Sequence, residues 1–121
     1  MFRVMLKSKL HRATVTGVRV DYEGSLAIDT DLLDLVKILP YEKVLVANLT
    51  NGERLETYAI PGERGSGEIC LNGAAALKGA VGDKLIIFTF AGVSEDEAAF
   101  HRPLIAVLDD RNRPIGGLKE T

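Results

Sequence analysis

The chain has little cysteine and few aromatic residues. Among its 121 residues there is one cysteine, Cys70, there is no tryptophan, and 6% of residues are aromatic. A single cysteine can form neither an internal disulfide nor a cysteine-based metal site. Cys70 lies in the apolar stretch Glu68-Ile69-Cys70-Leu71, so we predict a small core residue rather than a nucleophile. The core must therefore be built mainly from aliphatic side chains.

Long apolar runs and an excess of either charge are also missing. No apolar run approaches the roughly 20 residues that cross a bilayer, and the N-terminus does not resemble a signal peptide. Acidic and basic residues are interspersed and the formal net charge is −2. This balance does not favour binding to a phosphate backbone. We therefore expect a cytoplasmic protein that binds neither nucleic acid nor membrane.

Standard cofactor and catalytic motifs are absent. The glycines at positions 62, 65 and 67 do not make a dinucleotide fingerprint, and there is no phosphate-binding loop. His11 and His101 lie far apart in the sequence without a ligand cluster, so neither a metal site nor a hydrolytic triad is supported. We predict no metal and no nucleotide cofactor.

What the chain does contain is a succession of short strand patterns. Its length predicts a single domain over residues 1–121. Alternation and turn signals indicate about six to eight strands with two or three short helices. Because the strands follow one another without regular strand–helix alternation, a small, mostly β barrel is favoured. A polar turn begins near residue 109, and we expect residues 110–121 to form a flexible tail.

Three local signals refine this pattern. A helix is predicted from about residue 31 to residue 39, capped by Asp29 or Thr30 and ended by the following proline. The pair Asn51-Gly52 predicts a hairpin between two strands. Gly17 lies where the apolar phase of a strand shifts, so we expect a bulge or a sharp bend there.

One turn, Tyr22-Glu23-Gly24-Ser25, carries suggestive chemistry. Gly24 can take backbone angles closed to other residues and leaves its carbonyl carbon open to approach. The hydroxyl of Ser25 can attack that carbonyl and replace the amide by an ester, and β-elimination would then cut the chain. The dehydroalanine left behind hydrolyses to a pyruvoyl group. A Gly-Ser pair is most often only a turn, so other residues must support this hypothesis.

Further polar and small residues lie at strand ends and turns. They are Lys9, His11, Arg54, Thr57, Tyr58, Asn72, Gly73, Ala74 and Ala75. Each has an ordinary structural interpretation when taken alone. Lys9 is typical of a solvated side chain, while Arg54 and Tyr58 are typical of cross-strand partners beside Glu56. Their significance depends on their occurrence together.

In chain order, these segments resemble the aspartate 1-decarboxylase family, which uses a pyruvoyl group to make β-alanine for pantothenate. The matching segments are Met5-Leu6, Lys9-Leu10-His11-Arg12, Tyr22-Glu23-Gly24-Ser25, Ala27-Ile28-Asp29, Thr50-Asn51-Gly52, Thr57-Tyr58-Ala59-Ile60, Glu63-Arg64-Gly65-Ser66, Asn72-Gly73-Ala74-Ala75-Ala76 and Val81-Gly82-Asp83. They cover roughly residues 1 to 90. From Ala91 onward the resemblance fades.

The resemblance implies self-cleavage between Gly24 and Ser25. Residues 1–24 would become a β chain and residues 25–121 an α chain that starts with a pyruvoyl group derived from Ser25. Thr57 and Asn72 would assist this processing. The fold implied is a six-stranded double-psi β-barrel, and the assembly implied is a homotetramer with each site shared between two subunits. The resemblance leaves open whether maturation is spontaneous or needs a maturation factor.

It also implies roles in decarboxylation. Ser25, as the pyruvoyl group, would form a Schiff base with the amine of L-aspartate, and Tyr58 would be the proton donor. Lys9 and Arg54 would hold the substrate carboxylates, with His11 nearby. The remaining substrate-binding residues implied are Thr57, Gly73, Ala74 and Ala75.

The charges and shapes of these side chains also suit decarboxylation of an amino acid with two carboxylates. Two cations suit a dianionic substrate better than a simple amino acid, and arginine offers a rigid fork for a carboxylate. The residues alone do not decide between aspartate and glutamate. The alternative hypothesis is a double-psi barrel that is not processed and serves as a non-catalytic binding or oligomerisation module.

Overall fold

Eight strands and three short helices form the described part of the chain, residues 1–119 of a computed structural model. The strands are β1 (Phe2–Thr14), β2 (Gly17–Arg19), β3 (Leu26–Asp29), β4 (Lys43–Asn48), β5 (Arg54–Gly62), β6 (Ile69–Asn72), β7 (Lys84–Ser94) and β8 (Leu104–Val107). The helices are α1 (Thr30–Val36), a 3-10 helix (Gly73–Lys78) and α2 (Glu95–Ala98). The prediction of a mostly β protein with two or three short helices is confirmed.

The strands make one mixed sheet in the order β2-β6-β3-β5-β4-β7-β1-β8. Three neighbouring pairs run parallel, namely β2 with β6, β3 with β5, and β1 with β8. The other pairs are antiparallel, including the β4–β5 hairpin predicted at Asn51-Gly52. Eight strands over residues 1–119 lie within the range predicted from the patterns but exceed the six of the barrel that the resemblance implies. The double-psi topology itself stays a prediction.

β1 is the longest strand of the described residues. Its 13 residues form one strand, which pairs with β7. Its register shifts between Leu6 and Ser8 and again between His11 and Ala13, where Arg12 has a φ of 67°. Gly17 begins β2, which pairs with β6, so the chain changes its strand partner between Thr14 and Gly17, where a bend was expected.

Helix α1 begins as predicted and ends early. Asp29 is its N-cap, and a carboxylate oxygen of Asp29 accepts a hydrogen bond from the backbone N–H of Asp31 at 2.8 Å. The helix ends at Val36 rather than near residue 39, because Lys37 adopts a left-handed conformation with a φ of 57°. The backbone N–H of Lys37 turns back to Asp34 O and closes the helix before the proline is reached.

The buried Asp29 carboxylate ties α1 to the glycine-rich loop. It accepts hydrogen bonds from Gly65 N at 2.9 Å and Gly67 N at 2.8 Å, in addition to that from Asp31. Burial alone would raise the pKa of Asp29, but these backbone donors, with Arg113 nearby, lower it below the ordinary value. The ionised form of Asp29 is therefore favoured in the folded chain.

A lowered pKa of Asp29 predicts a loss of stability in acid. The contribution of this carboxylate is fully present above its unfolded pKa of about 4 and disappears as the pH falls through the lower folded pKa. We expect Asp29→Asn to lower the unfolding free energy by about 2 kcal/mol at pH 7 and to reduce the acid dependence of stability. Urea denaturation between pH 7 and pH 2 measures both effects. Asp96→Asn on exposed α2 is the control, and an equal acid dependence in wild type and Asp29→Asn would contradict the prediction.

The core is aliphatic, as the scarcity of aromatic residues predicted. Its largest buried side chains are Leu10, Leu26, Ile28, Leu32, Ile69, Leu71, Leu85 and Ile87. Cys70 is also buried, which confirms the prediction of a small core residue. Leu26 and Leu71 pair across β3 and β6, and Leu26 pairs with Ala59 of β5 on its other side. These pairs fix the strand ends that carry the candidate site.

The segment predicted to be a flexible tail is held to the body of the protein at Asn112. This side chain is 1% exposed. Its Oδ1 accepts a hydrogen bond from Thr14 N at 2.7 Å, and its Nδ2 donates to Thr14 O and Gly67 O, both at 2.8 Å. Residues 120 and 121 of the predicted tail lie outside the described residues. Within the predicted tail, the buried amide of Asn112 thus satisfies three backbone groups.

Candidate active site

Ser25 is buried in a strained conformation at the start of β3. Its φ is 100°, a region that residues with a Cβ rarely adopt, and the residue is 2% exposed. Its Oγ is buried without a hydrogen-bond partner among the described residues. A buried hydroxyl without a partner costs about 1–3 kcal/mol. The unusual backbone angle expected at Gly24 therefore falls on Ser25 instead.

Strands on both sides hold Ser25 in place. The next residue, Leu26, is paired with Ala59 of β5 and Leu71 of β6. The backbone N–H of Asn72, at the end of β6, donates to Ser25 O at 3.0 Å. Because both neighbouring strands are anchored in the core, the surrounding structure can maintain the strain at Ser25.

Gly73 packs directly against the Gly24 backbone. A Cβ at position 73 would lie 2.8 Å from Gly24 Cα, 2.9 Å from Gly24 N and 3.0 Å from Tyr22 O. The φ of Gly73 is 60°, which also favours glycine. Asn72-Gly73 therefore forms the support behind the Gly24–Ser25 bond, and the 3-10 helix starts from it.

Ser25 borders a cavity of about 200 Å³. The lining residues are Gly24, Ser25, Leu55, Glu56, Thr57, Ala74, Ala75 and Lys78. Five of the predicted site residues thus meet here: the cleavage pair, Thr57 and the two alanines. Asn72 and Gly73 lie behind the turn.

Sequence reasoning missed two charged residues on this cavity, Glu56 and Lys78. Glu56 lies on the same predicted strand face as Arg54 and Tyr58, which is the signal that could have identified it. Lys78 ends the 3-10 helix that follows Asn72-Gly73, and its Nζ lies 2.8 Å from an Oε of Glu53.

Four other predicted residues lie on the outer face of the sheet. Lys9 and His11 are on β1, whereas Arg54 and Tyr58 are on β5. The sheet order places β7 and β4 between them. Three strand spacings correspond to about 14 Å, so one chain does not bring the two pairs together. None of the four lines the Ser25 cavity.

The register shows that these side chains share one face. His11 pairs with Ile86, Ile86 with Ala47, and Ala47 with Arg54, so one row crosses four strands. In the next row the Lys9 ammonium lies 5.8 Å from the ring centroid of Phe88. Tyr58 is 39% exposed, and its ring centroid lies 6.3 Å from that of Tyr41.

His11 favours its neutral form. Burial lowers its pKa, and the positive charges of Lys9 and Arg12 lower it further. Its Nδ1 is buried without a partner among residues 1–119. A neutral imidazole can both accept and donate a hydrogen bond, so His11 is suited to orient a polar group rather than to act as a further cation.

No group of three or more His, Cys, Asp or Glu side chains within residues 1–119 could hold a metal ion. Over the same residues, none of the helices combines the length and apolarity needed to traverse a bilayer.

The fold and the site define a small β protein in which a strained, buried serine follows a glycine and opens on a small cavity. A family model described as aspartate decarboxylase matches residues 1–115, which extends beyond the motifs quoted above. The chain belongs to the aspartate decarboxylase family.

Curated relatives are similar in sequence to this chain along nearly its whole length. An aspartate 1-decarboxylase of Bacillus cytotoxicus is 59% identical over 115 residues, covering 95% of this chain and 91% of the relative. One of Bacillus subtilis is 57% identical over 113 residues, covering 93% and 89%. One of Ralstonia nicotianae is 58% identical over 113 residues, covering 93% and 94%.

Proposed function

We propose that this chain is a pyruvoyl-dependent aspartate 1-decarboxylase that converts L-aspartate to β-alanine and CO₂ for pantothenate biosynthesis. Membership of the family and relatives of this name support the reaction. The observation that carries the pyruvoyl chemistry is Ser25 itself. It is buried at a φ of 100° directly after Gly24, and its Oγ has no hydrogen-bond partner among the described residues.

The proposed maturation uses the chain's own atoms. Oγ of Ser25 attacks the Gly24 carbonyl carbon, the C–N bond breaks, and the amide becomes an ester with a free amine on Ser25. Loss of the Ser25 α-proton and cleavage of its Cβ–Oγ bond then release residues 1–24 as a carboxylate. Water displaces ammonia from the dehydroalanine at position 25 and leaves the pyruvoyl group. Thr57 on the cavity wall and Asn72 behind the turn are the residues we assign to assist this step.

The cavity fits a cofactor made from residue 25. Ser25 lies on its wall beside Ala74 and Ala75, whose small side chains leave space in front of the group. Once formed, a pyruvoyl ketone supplies the electron sink that loss of an α-carboxylate requires and that no ordinary side chain provides. We assign no metal and no nucleotide to this reaction.

We assign the substrate contacts to residues of two chains. Arg54 offers a bidentate fork for one carboxylate, Lys9 adds a second positive charge, and His11 orients the substrate. Lys9 and His11 lie about 14 Å from Arg54 along the sheet of one chain, which favours a site completed by a second copy. We therefore propose a homotetramer with sites at subunit interfaces. The exposed Val4, Tyr41 and Phe90 offer apolar surface for such contacts.

We also propose that the enzyme works in the cytoplasm. Its one cysteine is a buried free thiol. This agrees with a reducing compartment, in which thiols stay reduced.

Intact mass spectrometry and a denaturing gel test the proposed function directly. We expect two fragments, residues 1–24 and 25–121, the larger of which lacks an N-terminal amine. The processed protein should release CO₂ from aspartate, and a parallel assay with glutamate measures the preference between the two. A single chain with a free N-terminal amine and no decarboxylase activity after prolonged incubation would instead support the unprocessed binding module.

Replacing Tyr58 with phenylalanine should separate maturation from turnover. Without the phenol, no proton can be returned to the substrate carbon from this position, and general acid catalysis contributes about 10²–10⁴-fold. We expect Tyr58→Phe to be cleaved normally but to release CO₂ from aspartate at least about 100-fold more slowly. Tyr41→Phe is the matched control, because its ring lies beside that of Tyr58. Normal turnover by Tyr58→Phe would assign the proton to another group.

A further inference from the structure

The thiol of Cys70 contacts the side chain of Asn72, the residue behind the Gly24–Ser25 turn. Cys70 is on β6, 2% exposed, and its Sγ donates to Oδ1 of Asn72 at 3.3 Å. On the other side it faces Gly17 of β2, where an added Cβ would lie 3.3 Å from Sγ. The thiol is therefore held between a neighbouring strand and the Asn72 amide.

Asn72 is hydrogen-bonded through its backbone to Ser25, the residue proposed to react. Its N–H donates to Ser25 O, and the following residue, Gly73, packs on Gly24. Asn72 is also the N-cap of the 3-10 helix, yet within the described residues its side chain makes no capping hydrogen bond. The Asn72 amide can donate hydrogen bonds only through Nδ2. With Oδ1 accepting the thiol hydrogen bond, Nδ2 is the group available to donate to the turn.

The thiol stays in the form that can donate. Burial raises the pKa of Cys70, and the nearby Glu68 raises it further, while Arg19 opposes them. At neutral pH the side chain is therefore S–H rather than thiolate, and Oδ1 of Asn72 is the acceptor within reach.

We propose that Cys70 is a positioning residue for self-cleavage. Its S–H fixes the Asn72 amide so that Nδ2 is directed toward the Gly24–Ser25 peptide, where it stabilises the negative charge that develops on the Gly24 carbonyl oxygen during attack by Ser25. A preorganised donor at such an oxygen is a strong catalytic element, and a neighbour that orients it contributes indirectly. This inference rests on the proposed function.

Serine and alanine at position 70 provide the matched test. Serine keeps a donor of similar reach, whereas alanine removes the donor with little change in size. Each variant is made in a short pulse of cell-free synthesis, and cleavage is followed over time on a denaturing gel. We expect Cys70→Ala to mature roughly three- to tenfold more slowly than wild type, as loss of one modest hydrogen bond predicts, and Cys70→Ser to mature within about twofold of it.

A double-mutant cycle with Asn72→Ala distinguishes positioning from packing. If Cys70 acts through the Asn72 amide, Cys70→Ala causes no further slowing in the Asn72→Ala background. Wild-type cleavage rates for Cys70→Ala, equal slowing by serine and alanine, or full slowing in the Asn72→Ala background would each overturn the proposal. A wild-type chain that stays uncut both in cell-free synthesis and in cells would refute the proposed function itself, and the role of Cys70 with it.

Discussion

Ser25→Ala should abolish both chain cleavage and decarboxylation. The variant lacks the Oγ that attacks the Gly24 carbonyl, so residues 1–24 stay joined to the rest of the chain. It also lacks the precursor of the ketone, and no other side chain can accept the electrons left by the departing carboxylate. Because enzymes accelerate reactions by about 10⁶-fold or more, we expect CO₂ release from aspartate to fall by at least about 10⁴-fold.

The loop Gly65-Ser66-Gly67 offers a matched control, since it contains the same Gly-Ser pair. Ser66 is exposed, and its Oγ donates to Glu63 O at 2.6 Å. The Ser25 hydroxyl is buried and has no such partner among residues 1–119. We therefore expect Ser66→Ala to be cleaved at Gly24–Ser25 and to remain active. Intact mass and a CO₂ assay on both variants test this, and a cleaved, active Ser25→Ala would refute the mechanism.

The contrast between these two Gly-Ser pairs shows what the sequence could and could not predict. Both pairs read as turns, and only the surrounding motifs favoured position 25. The structure adds the reason that local rules do not contain. Ser25 is buried and takes a φ of 100° because Leu26 is paired on both sides by β5 and β6, which are distant in sequence. Non-local pairing of this kind is not visible in a four-residue turn.

The fold was predictable where the signal was local. Alternation identified β5, and Asn51-Gly52 identified its hairpin with β4 because the turn chemistry is specific. The end of α1 was not predictable, since Lys37 rather than the following proline closes the helix. Asn112 was missed for a similar reason. Polar residues near a terminus suggest a tail, and only the folded chain shows that this amide bonds Thr14 and Gly67.

The candidate site, like the fold, depends on contacts between distant segments that local sequence patterns do not reveal. The Ser25 cavity collects residues from three separate segments, and its charged members Glu56 and Lys78 lie next to predicted site residues without a motif of their own. Lys9 and Arg54 were grouped by their chemistry, yet two strands separate them within one chain. The separation of Lys9 from Arg54 in the sheet cannot be predicted from their spacing along the sequence. This separation supports the proposal that the substrate site is shared between two copies of the chain.

Gly73→Ala should strongly slow maturation although position 73 carries no side chain. An added Cβ would lie 2.8 Å from Gly24 Cα and 2.9 Å from Gly24 N, closer than van der Waals contact allows, so the Gly24 backbone must move. The φ of 60° at Gly73 adds strain for any side chain. Because the Ser25 hydroxyl must approach the Gly24 carbonyl in one geometry, a shift of about 1 Å can slow cleavage by roughly 100-fold.

The variant Gly52→Ala distinguishes the effect of a steric clash with Gly24 from the effect of backbone strain at a positive φ. Gly52 also has a positive φ, 80°, but an added Cβ there has nothing within 4 Å. Both variants should lose about 1 kcal/mol of stability from backbone strain, and Gly52→Ala should still mature like wild type. A time course of cleavage after cell-free synthesis, with thermal unfolding of each variant, measures both quantities. If Gly73→Ala matured as fast as Gly52→Ala, the turn would tolerate displacement, and the close support of Gly24 by Gly73 would have no part in cleavage.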